Sequence, residues 1–243
     1  MIKYFTLKIL HIFDFFHQKR IIKFLHKKGF ETFSSILDVG AHKGESINLF
    51  LSNFKTKIIY SFEANPITFK ILSHKIEYFR NKFKSSKIII ENYAIGAVKK
   101  KVLLKQFKES SSSTIRNLNE NSKYLKKKLF FLQEDNKSSY FKVTEVEQIT
   151  LSDYFIKNNI DNIDFLKIDT EGYEFEVLMG AKDVLSKISI VLFEHHYDDM
   201  IAKNYKFSDV HNFLITNHYS QLYKAKMPFR KTFEYIYINK LKK

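Results

Sequence analysis

The chain contains no cysteine, which removes disulfides, thiolate metal sites and cysteine nucleophiles from consideration. That usage suits a reducing cytoplasm. Proline is almost as scarce, at two residues, and neither a long Pro/Gly/Ser linker nor an internal repeat divides the 243 positions. With 44% hydrophobic residues, one α/β domain around one substantial core is the simplest organisation. The apolar stretch at residues 1–16 is interrupted by Lys3, Lys8, His11 and Asp14, too charged for a secretory segment and too short to span a bilayer. An amphipathic helix there has two places to go, packed on the domain or resting on a membrane surface.

Arginine is sparse beside lysine. The net charge of +15 invites a nucleic-acid partner. Base-edge and bidentate phosphate recognition favour arginine, however, and no Asn-Pro-Pro-Tyr-like base-flipping motif occurs. The triplets Lys99–Lys101 and Lys126–Lys128 read as solvated faces or as attractors of anionic substrates. An RNA-modifying protein using this lysine-rich region is the alternative to the reading developed below.

What the chain does have is the run Ile36-Leu37-Asp38-Val39-Gly40-Ala41-His42-Lys43-Gly44-Glu45, an apolar strand entering a glycine turn and then a helix. A second apolar run, Ile58–Phe62, ends in Glu63. Glycines let backbone approach a ligand, and an acid at the second strand's end accepts hydrogen bonds from both ribose hydroxyls of a nucleoside cofactor. A dinucleotide needs Gly-x-Gly-x-x-Gly to seat its diphosphate on the helix N-terminus. Here His42 fills the second glycine position, and Asp38 would repel a diphosphate while suiting the ammonium of a methionine moiety. The pattern favours S-adenosylmethionine over a dinucleotide.

Alternating strands and helices continue through 57–62, 67–83 and 87–90, implying a parallel, doubly wound, Rossmann-like sheet. Residues 97–149 break the rhythm, with short strands expected at 102–104 and 141–146 around a polar segment containing Ser110–Ser113. Composition makes that insertion either a lid over the sheet's carboxyl edge or a surface excursion. The rhythm resumes with a helix at 151–158, a strand at 163–168, a helix at about 173–186 and a strand at 188–193. A helix near 207–217 and two closing strands, 219–224 and 233–238, give the otherwise parallel sheet an antiparallel C-terminal edge. Residues 1–34 read as a helical extension and 35–243 as the domain proper.

Asp38, Glu63 and Asp169 thus stand at strand exits that face one crevice. Asn92, leaving the third strand, is placed for an adenine edge, or simply makes a turn. The block Lys167-Ile168-Asp169-Thr170-Glu171-Gly172-Tyr173-Glu174 closely resembles the Lys-Ile-Asp-x-Glu-Gly-x-Glu signature of the FkbM family of methyltransferases. Asp38–Gly44 is similar to that family's Asp-Val-Gly-Ala-Asn-x-Gly, departing at His42. Phe62–Pro66 resembles its second motif, Asn92–Gly96 its third, and the serines at 110–113 and Phe193-Glu194-His195 are also like the family. The resemblance runs in order over residues 35–196.

It implies a fold of the class I methyltransferase type, with S-adenosylmethionine held by Asp38, Gly40, His42, Gly44, Glu63, Asn65, Asn92, Ala94 and Asp169. It also implies O-methylation of a sugar, glycolipid or secondary metabolite. Hydroxyl methylation needs in-line alignment and removal of a weakly acidic proton. His195, imidazole being near neutrality in its titration, is the expected base, with His196 as second choice and Asp169 and Glu171 orienting it. Glu174 either joins them or stabilises a helix start. A divalent metal on Asp169, Glu171 and a histidine is the less favoured scheme, since this spacing names no metal.

Overall fold

The structure, a computed structural model, describes residues 2–107, 113–131 and 141–242, with side chains for 13–106, 113–127 and 141–242. A long helix, α1 (Ile2–Lys27), leads into β1 (Ser35–Val39), α2 (Glu45–Asn53), β2 (Ile58–Phe62), α3 (Pro66–Lys82) and β3 (Lys87–Glu91). Each start has a local cause. Gly44 caps α2 at φ +92°, a conformation that side-chain-bearing residues resist. Asn65 caps α3, its Oδ1 accepting from the N–H groups of Ile67 and Thr68, and Pro66 occupies the first turn, where a missing N–H is harmless.

β4 (Ala94–Ile95) leads into the insertion, which holds β5 (Lys100–Phe107), β6 (Ser113–Thr114), β7 (Asn117–Leu118), α4 (Lys123–Phe131) and β8 (Phe141–Ile149). Its strands outrun the two short ones expected. β5 and β8 pair antiparallel along their whole lengths in a separate four-stranded sheet ordered β4-β8-β5-β6. Ala94, Val102, Leu104 and Val146 bury a thin core beneath it. Of the serine run in the polar segment, Ser113 pairs in β6 with Gln106, while Ser110–Ser112 lie outside the described residues.

The chain returns through α5 (Leu151–Lys157), capped by Thr150, to β9 (Ile163–Ile168) and α6 (Glu174–Gly180). The helix expected over 173–186 is divided. Gly180 packs on the backbone of Gly96 so tightly that a Cβ would overlap the Gly96 carbonyl, and the chain continues as a 3₁₀ turn, Lys182–Lys187. Glycine's low helix propensity and this packing end the helix together. Then follow β10 (Ile188–His196), β11 (Ile201–Ala202), α7 (Phe207–Thr216), β12 (Tyr219–Lys226) and β13 (Thr232–Asn239).

The main sheet is ordered β12-β13-β10-β9-β1-β2-β3. β3, β2, β1, β9 and β10 run parallel, and β13 and β12 add the antiparallel edge. The order reverses between β1 and β9, which opens a crevice at their carboxyl ends. One face carries Leu37, Val39, Leu166, Ile168, Val191 and Phe193 under α5, α6 and α7. The other carries Ile36, Ile59, Phe165, Ile190 and Leu192 under α1, α2 and α3.

The second half of α1 packs on that face. Ile21, Ile22 and Leu25 are buried, Phe24 stacks on Tyr223 at 4.0 Å, and His17 and Gln18 donate to the buried Glu234 of β13 at 2.7 and 3.1 Å. Among the described residues no helix is long and apolar enough to cross a membrane. Because Leu25 is fully buried, Leu25→Ala should cost about 2–5 kcal/mol in denaturant unfolding. A loss below about 0.5 kcal/mol, the level of a surface substitution, would mean that α1 is not docked in solution.

Candidate active site

The crevice is built around Lys167. Its Nζ lies 3.1 Å from Asp38 Oδ1, 3.0 Å from the carbonyl oxygen of Gly40 and 3.5 Å from Asp169 Oδ2. Burial disfavours the ammonium, but Asp38 and Asp169 outweigh it and hold Lys167 above the ordinary lysine range. Asp38 also accepts from Ser46 Oγ at 2.5 Å and has no exposed surface. Its carboxylate therefore points into the sheet and not toward the mouth where an ammonium was expected. Depth in the strand is the reason: Asp38 lies inside β1, two residues short of the turn, beside Lys167 on β9.

Gly40, at φ +89°, brings the turn against β9. A Cβ there would overlap the carbonyl oxygen of Asp169, so only glycine fits. His42 follows in the left-handed region at φ 49°, a conformation in which asparagine and histidine are both enriched, so histidine here keeps the shape of the turn. The N–H of His42 donates to Glu63 Oε2 at 2.8 Å, and the N–H of Asn65 donates to Oε1 at 2.8 Å. Burial pushes the Glu63 carboxyl up, and these two amides oppose that shift. Asn92 donates to the carbonyls of Glu63 and Ala64 and, with Pro66, Glu91, Tyr93 and Glu145–Glu147, lines a recess of about 380 Å³ at the exit of β3. Asn65 has its side chain in the α3 cap, and Ala94 is buried in the insertion's core.

The insertion straddles this crevice. Asn65 Nδ2 donates to Ser113 Oγ at 3.1 Å, while Thr114 Oγ1 donates to the Glu171 carbonyl at 2.8 Å. Arg116 reaches the Gly172 carbonyl and pairs with Glu176. β7 pairs with β11 beyond the exit of β10, so the insertion is tied to both rims.

At the exits of β9 and β10 a charged cluster forms. His196 Nε2 lies 3.1 Å from Glu194 Oε1 and 3.3 Å from Glu171 Oε2, and Nδ1 lies 3.6 Å from Asp198 Oδ2. Burial works against the imidazolium, but Glu194 and Asp198 prevail and raise His196 well above the usual histidine value. Burial, reinforced by Asp169, pushes the Glu194 carboxyl up to about 8. His195, the base expected from sequence, is elsewhere. Alternation along β10 turns it to the opposite face, against Tyr197, Tyr205 and Phe207, where burial lowers it to about 3. Glu174 is fully buried, accepting from Thr170, Gly172 and Tyr205, and braces the turn after β9.

Sequence reading gave no role to Lys167 and Glu194. Their signal was a charge within, or ending, an otherwise apolar strand, which burial makes costly unless it is paired.

A seven-stranded sheet of this order, with its acids at the exits of β2 and β9, defines the class I methyltransferase fold. The profile of the methyltransferase FkbM domain matches residues 38–224, and the chain belongs to that family. Among solved structures it is similar to a methyltransferase FkbM from Methylobacillus flagellatus KT, at 15% identity and a TM-score of 0.57, covering 84% of this chain and 43% of that one. The chain thus spans less than half the length of that relative. It is also similar to magnesium protoporphyrin IX methyltransferase from Synechocystis PCC 6803. The form with bound S-adenosylmethionine gives 9% identity, a TM-score of 0.53, and coverage of 96% and 82%. The form with S-adenosylhomocysteine gives 8%, 0.54, 97% and 87%. No curated protein matches the sequence.

Lys167→Met would leave Asp38 buried and charged without its partner. It should cost about 3–5 kcal/mol of stability, read by denaturant unfolding. The double variant Lys167→Met with Asp38→Leu should recover most of that loss; failure to recover would show that the pair is not the source.

Proposed function

We propose that this chain transfers the methyl group of S-adenosylmethionine to a hydroxyl oxygen of a carbohydrate-bearing acceptor. The turn at Gly40–Gly44, where glycine lets the backbone come close, would hold the cofactor's methionine end, and Glu63 would accept from its ribose hydroxyls. The recess beside Asn92 takes the adenine edge. Asp38 acts through Lys167 by fixing the turn, and Asn65 and Ala94 act by holding α3 and the insertion in place. Asp169, beside Lys167 at the exit of β9, would border both the cofactor's methionine end and the acceptor.

The observation that carries the acceptor reading is the convergence of Asp169, Glu171, Glu194 and His196 at the exits of β9 and β10. Clustered carboxylates accept hydrogen bonds from a polyol and offset the sulfonium charge. When bound, the cofactor supplies an already activated methyl, so the protein's tasks are alignment and proton removal. Asp169 and Glu171 hold neighbouring hydroxyls. Glu194 is the base: a carboxylate that binds its proton up to about pH 8 is a stronger acceptor than an ordinary one. The neighbouring His196 imidazolium steadies it once it ionises. Neither histidine suits the task, His196 being protonated and His195 facing away.

Two measurements test this. Labelled methyl from S-adenosylmethionine should enter glycan or glycolipid fractions as an alkali-stable ether. Label in the RNA fraction instead would overturn the acceptor class and leave methyl transfer standing.

Because Glu194 must ionise to act, turnover should rise with pH and level off above about 8. Glu194→Gln should lower it by about 10²–10⁴ and abolish that rise. Near-normal turnover in the variant would remove Glu194 from the chemistry.

A further inference from the structure

Where His195 turns away from the carboxylates it meets a second recess, of about 390 Å³, within the range of small-molecule sites. Tyr197, Tyr205 and Phe207 line it, together with Lys203, Lys206 and Ser208. His195 is 3% exposed, yet its Nδ1 has no hydrogen-bond partner among the described residues. A buried polar atom left unpaired costs about 1–3 kcal/mol, a cost that a bound polar group would relieve. Its ring is packed edge-on against Tyr197 at 4.8 Å and Phe207 at 5.7 Å, so it cannot readily swing to another partner.

The remaining walls divide the recess into two chemistries. Tyr197 keeps 45% of its surface exposed while its hydroxyl is anchored to Tyr235 at 2.6 Å, which presents a fixed aromatic platform. Two cations share the lining. Lys203 is half-buried, hydrogen-bonded to the His196 carbonyl, and 5.9 Å above the ring of Tyr205. Lys206 is exposed at the start of α7, a ten-residue helix whose first amides, at Phe207 and Ser208, border the recess. Asp209 already occupies the Lys206 amide at 2.7 Å, and Asp198, also at the rim, is turned toward His196. The anion-attracting surface is therefore Lys203, Lys206 and the α7 amides. An uncharged imidazole beside it offers a hydrogen bond without adding charge.

We infer that this recess binds a phosphorylated sugar unit of the acceptor. Its ring stacks on Tyr197 and Phe207, a hydroxyl meets His195, and its phosphate sits between Lys203, Lys206 and the start of α7. The inference rests on the carbohydrate reading above and narrows it to an anionic saccharide. His195 and His196 are consecutive on β10, so one acceptor can reach both faces across the strand's end. The recess anchors the phosphate while the reacting hydroxyl lies at Glu194.

Calorimetry with glucose 1-phosphate, glucose, inorganic phosphate and uridine monophosphate tests the site. Glucose 1-phosphate should bind at least tenfold more tightly than glucose or phosphate, with an affinity that falls as salt is added. Lys206→Glu, an exposed change, and Tyr197→Leu should each weaken it at least tenfold. Absence of saturable binding at millimolar glucose 1-phosphate, or binding indifferent to both variants, would overturn the proposal. Tighter binding of uridine monophosphate would overturn the sugar assignment in favour of a nucleotide. S-adenosylmethionine binding in the same samples, together with the fate of labelled methyl, separates failure of this recess from failure of the carbohydrate reading. Label in neutral glycans alone would sink the anionic requirement and keep the reaction.

Discussion

The crevice depends on one buried ion pair. Lys167 on β9 reaches Asp38 on β1 at 3.1 Å and the Gly40 carbonyl at 3.0 Å, at the point where the strand order reverses. Two charges in a sheet interior carry a desolvation cost that hydrophobic replacements of similar volume would avoid. What the pair does provide is position. It fixes the turn leaving β1 relative to the exit of β9, and the two strands contribute the glycine loop and Asp169 respectively. A hydrophobic pair would hold the strands together without directing the Gly40 carbonyl. The close approach of Gly40 to the Asp169 backbone is the steric counterpart of the same constraint.

The insertion is organised by the same crevice. It is lysine-rich and its core is thin, yet it is fastened at both rims through polar side chains: Ser113 on Asn65, and Thr114 and Arg116 on the turn after β9. These bonds join residues far apart in sequence, and each connects to a backbone group or cap already required by the main sheet. A segment held this way can span the crevice without a large apolar interface. It also gives Asn65 two tasks in one side chain, its oxygen capping α3 and its nitrogen tethering the insertion.

How far the sequence could be read follows from which features are local. Hydrophobic period, Pro66 at a helix start and the glycine turn are local, so the order of strands and helices and the antiparallel edge were legible. The lengths of β5 and β8 were not, because their register depends on pairing between segments about forty residues apart, with exposed Lys and Glu between thinly buried valines and leucines. The division of the helix after β9 was hidden for the same reason: Gly180 is forced by Gly96, which lies in another unit of the chain. Among the residues at the crevice, the position of Glu63 was legible because it follows directly on an apolar strand. The burial of Asp38 was not legible, because it depends on depth in the strand: two residues short of the turn, its carboxylate is closed in by Lys167 and Ser46.

The histidines depend instead on strand parity. His195 and His196 are neighbours in sequence and chemically identical, yet the pleat of β10 gives them opposite faces and opposite electrostatics. One meets aromatic rings and is held neutral; the other meets Glu194, Glu171 and Asp198 and is held charged. Counting forward from Phe193, a core residue under α7, would have assigned the faces correctly, since residues two apart share a side. The proton-accepting group is then sought on the face of Lys167 and Asp38, where Glu194 is the buried acid two residues before His196. A site at the end of a parallel strand is thus set by the parity of its residues against the core more than by their identity. At β10 that parity separates a polar, charge-bearing crevice from an aromatic recess by a single peptide unit.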